Sequence, residues 1–212
     1  MGDCCASNTC HAEAPDPGYR RILIAALALN AAMFFVELAA SLLAGSVSLQ
    51  ADALDFLGDA ANYAVGLTVL GMAVQWRARA AMGKGVVMGA FGLWVAGSAV
   101  MHAMSNEVPR YELMSGIGVL ALAVNLTVAA LLFRHRTGDS NRVSVWLCTR
   151  NDAIANVAVI LAGGGVWLTG THWPDIAVGG LIAFLGLTSA WRVVRQAMTE
   201  LTHAKVSPVA AE

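Results

Sequence analysis

Residues 46–74 read SVSLQADALDFLGDAANYAVGLTVLGMAV. The run is long enough to cross the hydrocarbon core of a bilayer, which takes about 20 residues of helix, yet it carries Asp52, Asp55 and Asp59. Spacings of three and four residues put these acids on one face of an α-helix, and Asn62 extends that face. An ionised carboxylate near the bilayer centre costs about 2.5 to 3.5 kcal/mol on insertion scales. A helix so striped therefore needs other helices around it and a reason to keep its acids.

Working outward, five more apolar segments appear, at 22–44, 82–105, 113–133, 143–168 and 173–194. In hydrocarbon every backbone N–H and C=O must be satisfied within its own segment, and no alternating barrel-strand pattern is present, so all six segments are predicted as helices. Of 212 residues 58% are apolar and 13% charged, against roughly 25% charged in soluble domains. With a mean hydropathy of +0.64, the composition argues against a water-soluble globule. The fold class expected is an all-α integral membrane protein with six transmembrane helices. Net charge is -1, so the cationic surplus that attracts nucleic acid is missing, and a lipid bilayer is the expected partner.

The basic residues orient the bundle. Arg20 and Arg21, then Arg77, Arg79 and Lys84, then Arg134, Arg136, Arg142 and Arg150, and finally Arg192, Arg195 and Lys205 fall at the termini and the even-numbered connections; of the 13 Lys and Arg only Arg110 falls on the other side. By the positive-inside bias both termini are expected in the cytoplasm, with the plasma (inner) membrane as the expected location. Residues 1–19 read as a flexible polar tail rather than a signal peptide, residues 20–197 as the six-helix transporter domain, and residues 198–212 as a short cytoplasmic tail.

Other acids lie inside segments: Glu37 in the first and Asp152 in the fifth. As neutralising cations only Arg150 is expected within a segment. Cys148, Asp152 and Asn156 recur every four residues and form a second polar stripe. The second segment is centred near Asp59 and the fifth near Ala155, about 5 Å along the helix from Asp152. Antiparallel packing lets the stripes meet near the midplane. Asp55, Asp59, Cys148 and Asp152 then offer four ligands, the number and type that a tetrahedral Zn²⁺ site takes. Four ionised ligands around one divalent ion would leave -2 in a low dielectric, so some ligands are expected to hold protons when the metal is absent and to release them when it binds. Divalent metal is the expected substrate and the proton the counter-substrate. Asp52 and Glu37 are accessory candidates, Asp52 as an entrance or gating group and Glu37, with Asn30 on its face, as a packing or proton-relay residue. Cys148 read alone is also compatible with a small buried hydrophobe.

These residues resemble the cation diffusion facilitators, which exchange divalent transition metals for protons. That family commonly shows a Glu, then Gly-Ser-x-x-Leu, then Ala-Asp-Ala, then a His or Asp four residues before an Asp; the counterparts here are Glu37, Gly45-Ser46-Val47-Ser48-Leu49, Ala51-Asp52-Ala53, Asp55 and Asp59. The family's second His/Asp pair is matched by Cys148 and Asp152, and Trp173-Pro174-Asp175 resembles the Asp-Pro start of its sixth helix with the order inverted. The resemblance implies that Asp55, Asp59, Cys148 and Asp152 form the transport site. Cys148 in place of His implies a softer ligand set, favouring Zn²⁺ or Cd²⁺, while three carboxylates tolerate Co²⁺, Fe²⁺ or Mn²⁺. A short form without the family's cytoplasmic dimerisation domain is expected. Its homodimer would form through helices, where Gly163, Gly164, Gly165, Gly179 and Gly180 serve either that contact or packing within one subunit.

Cys4, Cys5, Cys10 and His11 crowd the N-terminal tail. In a reducing cytoplasm disulfides are not expected, and these groups suffice to capture one soft cation; inert or lipid-modified thiols are the other reading. His102, His135, His172 and His203 are expected as interfacial polar residues. Rival functions are an intramembrane aspartyl protease, which lacks its Gly-x-Gly-Asp turn because Phe56-Leu57-Gly58 precedes Asp59, a membrane thiol oxidoreductase built on the tail cysteines, and a passive metal channel.

Overall fold

The computed structural model describes residues 17–68, 74–105, 107–133 and 140–206, and among these the side chains of all but 17, 74, 140–151 and 203–206. The described chain forms six α-helices: α1 (Pro17–Ala44), α2 (Val47–Thr68), α3 (Val74–Met104), α4 (Tyr111–Phe133), α5 (Ser140–Thr169) and α6 (Trp173–Val206). α1 packs mainly on α2, α3 on α6, and α4 on α5, while α2 also touches α3, α5 and α6 from the interior.

Polarity is inverted relative to a soluble protein. Phe35, Leu43, Met104 and Leu168 face outward, whereas Glu37, Asp52, Asp59, Asn125, Asn156 and Asp175 are buried. Only a surrounding apolar solvent stabilises that arrangement, so the chain is an integral membrane protein. Among the described residues, α1, α3, α4, α5 and α6 are long and apolar enough to cross a membrane. α2 is the sixth helix of the bundle; its aspartates lower its hydropathy, and its neighbours shield them.

Helix ends follow local chemistry. Gly45 and Gly170 have φ of 64°, the left-handed conformation that ends a helix without a Cβ penalty. The Ser46 amide donates to the Ser41 carbonyl at 3.0 Å and Gly170 to Val166 at 2.8 Å, closing α1 and α5. α6 runs 34 residues, about 51 Å at the helical rise, and passes both the expected end of its apolar segment at Val194 and the expected domain boundary at 197. Beyond Val194 it is a polar helix, supported by the Gln196 amide donating to Glu200 at 3.0 Å. α1 likewise begins at Pro17, whose fixed φ suits a first turn, ahead of the expected start at Ile22.

The N-terminus of α2 is pinned to α6. Asp175, buried in the first turn of α6, accepts hydrogen bonds from the Val47 amide (2.7 Å), the Ser48 amide (3.0 Å), the Ser46 hydroxyl (2.8 Å) and the Ser48 hydroxyl (2.5 Å). These satisfy donors that a helix start otherwise leaves orphaned. Backbones approach so closely here that a Cβ on Gly179 would lie 2.7 Å from the Ser48 nitrogen and the Val47 carbonyl carbon. Around Gly180 nothing lies within 4 Å. Gly179→Ala is therefore expected to cost about 1–3 kcal/mol by overpacking against backbone. Gly180→Ala, in a helix interior, should be neutral or stabilising by up to about 1 kcal/mol. Thermal unfolding of the two purified variants checks this, and equal midpoints would refute it. Gly163 and Gly165 are also spent inside the subunit, against Ser115 and Pro174, while the space around Gly164 is open.

α2 is sealed unevenly. Every residue from Val47 to Leu54 is buried, whereas past Asp59 only Ala60 and Tyr63 are. The sealed half lies in the core that Val95, Met114, Val159, Val166 and Ile182 build at this end of the bundle.

Candidate functional site

α2 and α5 bring their acids together. Asp59, buried on α2, meets Asp152 of α5 within hydrogen-bonding reach, and the Tyr63 hydroxyl one turn further on also reaches Asp59. Spacing of i and i+4 puts Asp59 and Tyr63 on one face. On α5, Asn156 is fully buried one turn from Asp152 and turns its amide back to the Asp152 carbonyl at 2.9 Å.

A second acid pair lies toward the sealed end. Glu37 of α1 and Asp52 of α2 are both buried and face each other closely enough to hydrogen-bond, and Asp55 stands near enough to Glu37 for their charges to interact. Asp52 is buried inside the bundle, below the first turn of α2 that α6 covers. Asn30 is buried on the Glu37 face of α1 and donates to the Ala26 carbonyl at 2.8 Å.

Asp59 and Asp152 are together, and Asp55 stands with Glu37. The Cys148 side chain lies outside the described residues, as do Cys4, Cys5, Cys10 and His11 and the side chains of Arg150 and His203; His135 lies outside them altogether. Among the described residues no three His, Cys, Asp or Glu side chains gather closely enough to hold a metal ion. His102 accompanies the Ser98 carbonyl at 2.9 Å. His172, in the connection between α5 and α6, is buried beside Trp173.

Arg77, Arg79 and Lys84, all expected in the second connection, fall within α3. Lys84 is half-buried and turns inward: it donates to the Asn62 side-chain oxygen and lies close enough to Asp59 for their charges to interact. Arg150 is therefore not the single cation inside a segment. The sequence does hold a signal for it: Gly83 and Gly85 flank Lys84, and the close α3–α6 contact at Gly85, where a Cβ would lie 2.7 Å from Val194, carries that turn into the bundle. Tyr63, one turn from Asp59, and the capping role of Asp175 were also missed, the latter because its partners are 127 to 129 positions away in sequence.

The family model described as the cation efflux transmembrane domain matches residues 23–202.

Proposed function

We propose that this chain, which belongs to the cation diffusion facilitator family of metal cation transporters, exports divalent transition metals, Zn²⁺ foremost, from the cytoplasm in exchange for protons. The transport site proposed is Asp55, Asp59, Cys148 and Asp152, with Glu37 and Asp52 as accessory acids, in a bundle of six membrane-crossing helices whose termini face the cytoplasm of a plasma membrane. The observation that carries this reading is the meeting of Asp59 and Asp152 across two helices in the interior of an apolar bundle. Two carboxyl groups hydrogen-bond to one another only through a proton held by one of them. A divalent cation supplies the same neutralisation, so the pair is suited to hold either a proton or a metal ion.

Asp55 shares a helix face with Asp59. Joining the ligand set requires it to turn from Glu37 toward the Asp59 side, and movement of the helices during alternating access provides that opportunity. Metal arriving from the cytoplasm would displace protons, the site would then open outward, and returning protons would expel the ion.

Reconstituted vesicles containing a pH-sensitive dye, challenged in turn with Zn²⁺, Cd²⁺, Co²⁺, Fe²⁺ and Mn²⁺, test the reading. Metal movement accompanied by opposite proton movement is expected. Metal flux without proton flux would make the protein a passive channel. In the same assay Cys148→His should shift preference from Cd²⁺ toward Zn²⁺ by exchanging a soft thiolate for imidazole; an unchanged preference order would remove Cys148 from the ligand set.

A further inference from the structure

The acid pair is accompanied by a basic side chain. Lys84 reaches from α3 to the Asn62 oxygen on α2, three residues along the same helix from Asp59. Its ammonium also lies within electrostatic range of Asp59, which meets Asp152. A lysine is a compact charge on a flexible four-carbon stem, free to turn from the amide oxygen toward the carboxylates. Asn62 offers a neutral resting place one turn from the acids, so the charge can withdraw from them without losing all its hydrogen bonding.

We propose that Lys84 is a tethered counter-ion of the transport site: its ammonium moves between the Asn62 oxygen, where it rests in this structure, and the Asp59–Asp152 pair, which it neutralises as a metal ion leaves. Loading and release are then an exchange between a free divalent cation and one built into α3. The returning ammonium lowers the affinity for the departing ion and speeds its exit. This inference rests on the transport-site reading above.

Zn²⁺ titration of the purified protein, with a competing chromophoric chelator, gives the Kd, and release into excess chelator gives the off-rate. Removing a cation beside a cation site strengthens binding, so Lys84→Gln should lower the Kd and the off-rate by about tenfold each. Lys84→Arg, which keeps the charge, should stay near the parent Kd. Asn62→Ala removes the neutral resting place and should raise the Kd about threefold, opposite in sign to Lys84→Gln. A lysine serving only to tie α2 to α3 would move both variants in one direction, and that result, or a Kd for Lys84→Gln that is unchanged or raised, overturns the proposal. Asp59→Asn separates the two ideas: if it binds Zn²⁺ as the parent does, the transport site itself is wrongly placed. If it loses binding while Lys84→Gln matches the parent, only the counter-ion fails.

Discussion

Asp59→Ala and Asp152→Ala are each expected to reduce vesicle metal transport by more than about 100-fold, since loss of even a supporting partner of a ligand costs 10- to 100-fold in metal affinity. The two positions should be non-additive, because each removal leaves the other carboxyl without the group it meets. The fold should persist. An acid removed from an apolar interior relieves a desolvation cost, and α2 and α5 keep their apolar neighbours. Transport is read in the vesicle assay and integrity from monodisperse elution and an unfolding midpoint within a few degrees of the parent. Retained transport in either variant would dismiss the proposed site.

Asp175→Ala should do the reverse, lowering stability while sparing ion preference. The carboxylate accepts from two amides and two hydroxyls in a buried pocket at the start of α2, and a hydrogen bond to a charged group contributes a net of about 1.5–3 kcal/mol. Leaving buried donors without their acceptor costs about 1–3 kcal/mol each, and a net loss of about 3 kcal/mol lowers the unfolding midpoint of a chain of this size by roughly 10 °C. Asp175→Asn keeps the shape and one acceptor oxygen and should fall between the two. Midpoints for the alanine variant within a degree or two of the parent would show that the four bonds carry no net stability. The order of metals transported by the surviving folded fraction should match that of the parent protein.

The bundle and one half of its acid constellation were legible in the sequence for a physical reason. Lipid punishes unsatisfied backbone and stray carboxylates so heavily that hydropathy and a three-or-four-residue acid spacing specify both the helices and the face of α2 that carries Asp59. Antiparallel stripes then suffice to bring Asp152 opposite. Asp55 was legible only as a member of the same stripe: which neighbour an acid on that face meets depends on side-chain rotation and on α1, and Glu37 competes for it. Lys84 was misplaced because near the start of an apolar segment a cation reads the same whether it snorkels toward water or turns inward. Asp175 resembled part of a motif, but a capping bond across about 128 residues leaves no periodicity to detect. The extensions of α1 to Pro17 and α6 to Val206 escaped a hydropathy reading because they are polar helix, stabilised outside the apolar span by first-turn proline and by the Gln196–Glu200 pair.

Asp175 and Gly179 hold the first turn of α2 like the fulcrum of a lever whose working point is Asp59. From Val47 to Asp59 the arm is about 18 Å at the helical rise, so a tilt of only about 5° sweeps the carboxylate through about 1.6 Å. That stroke is comparable to a zinc–oxygen bond of about 2.0–2.2 Å. A rotation too small to disturb the hinge is thus large enough to make or break coordination at the far end.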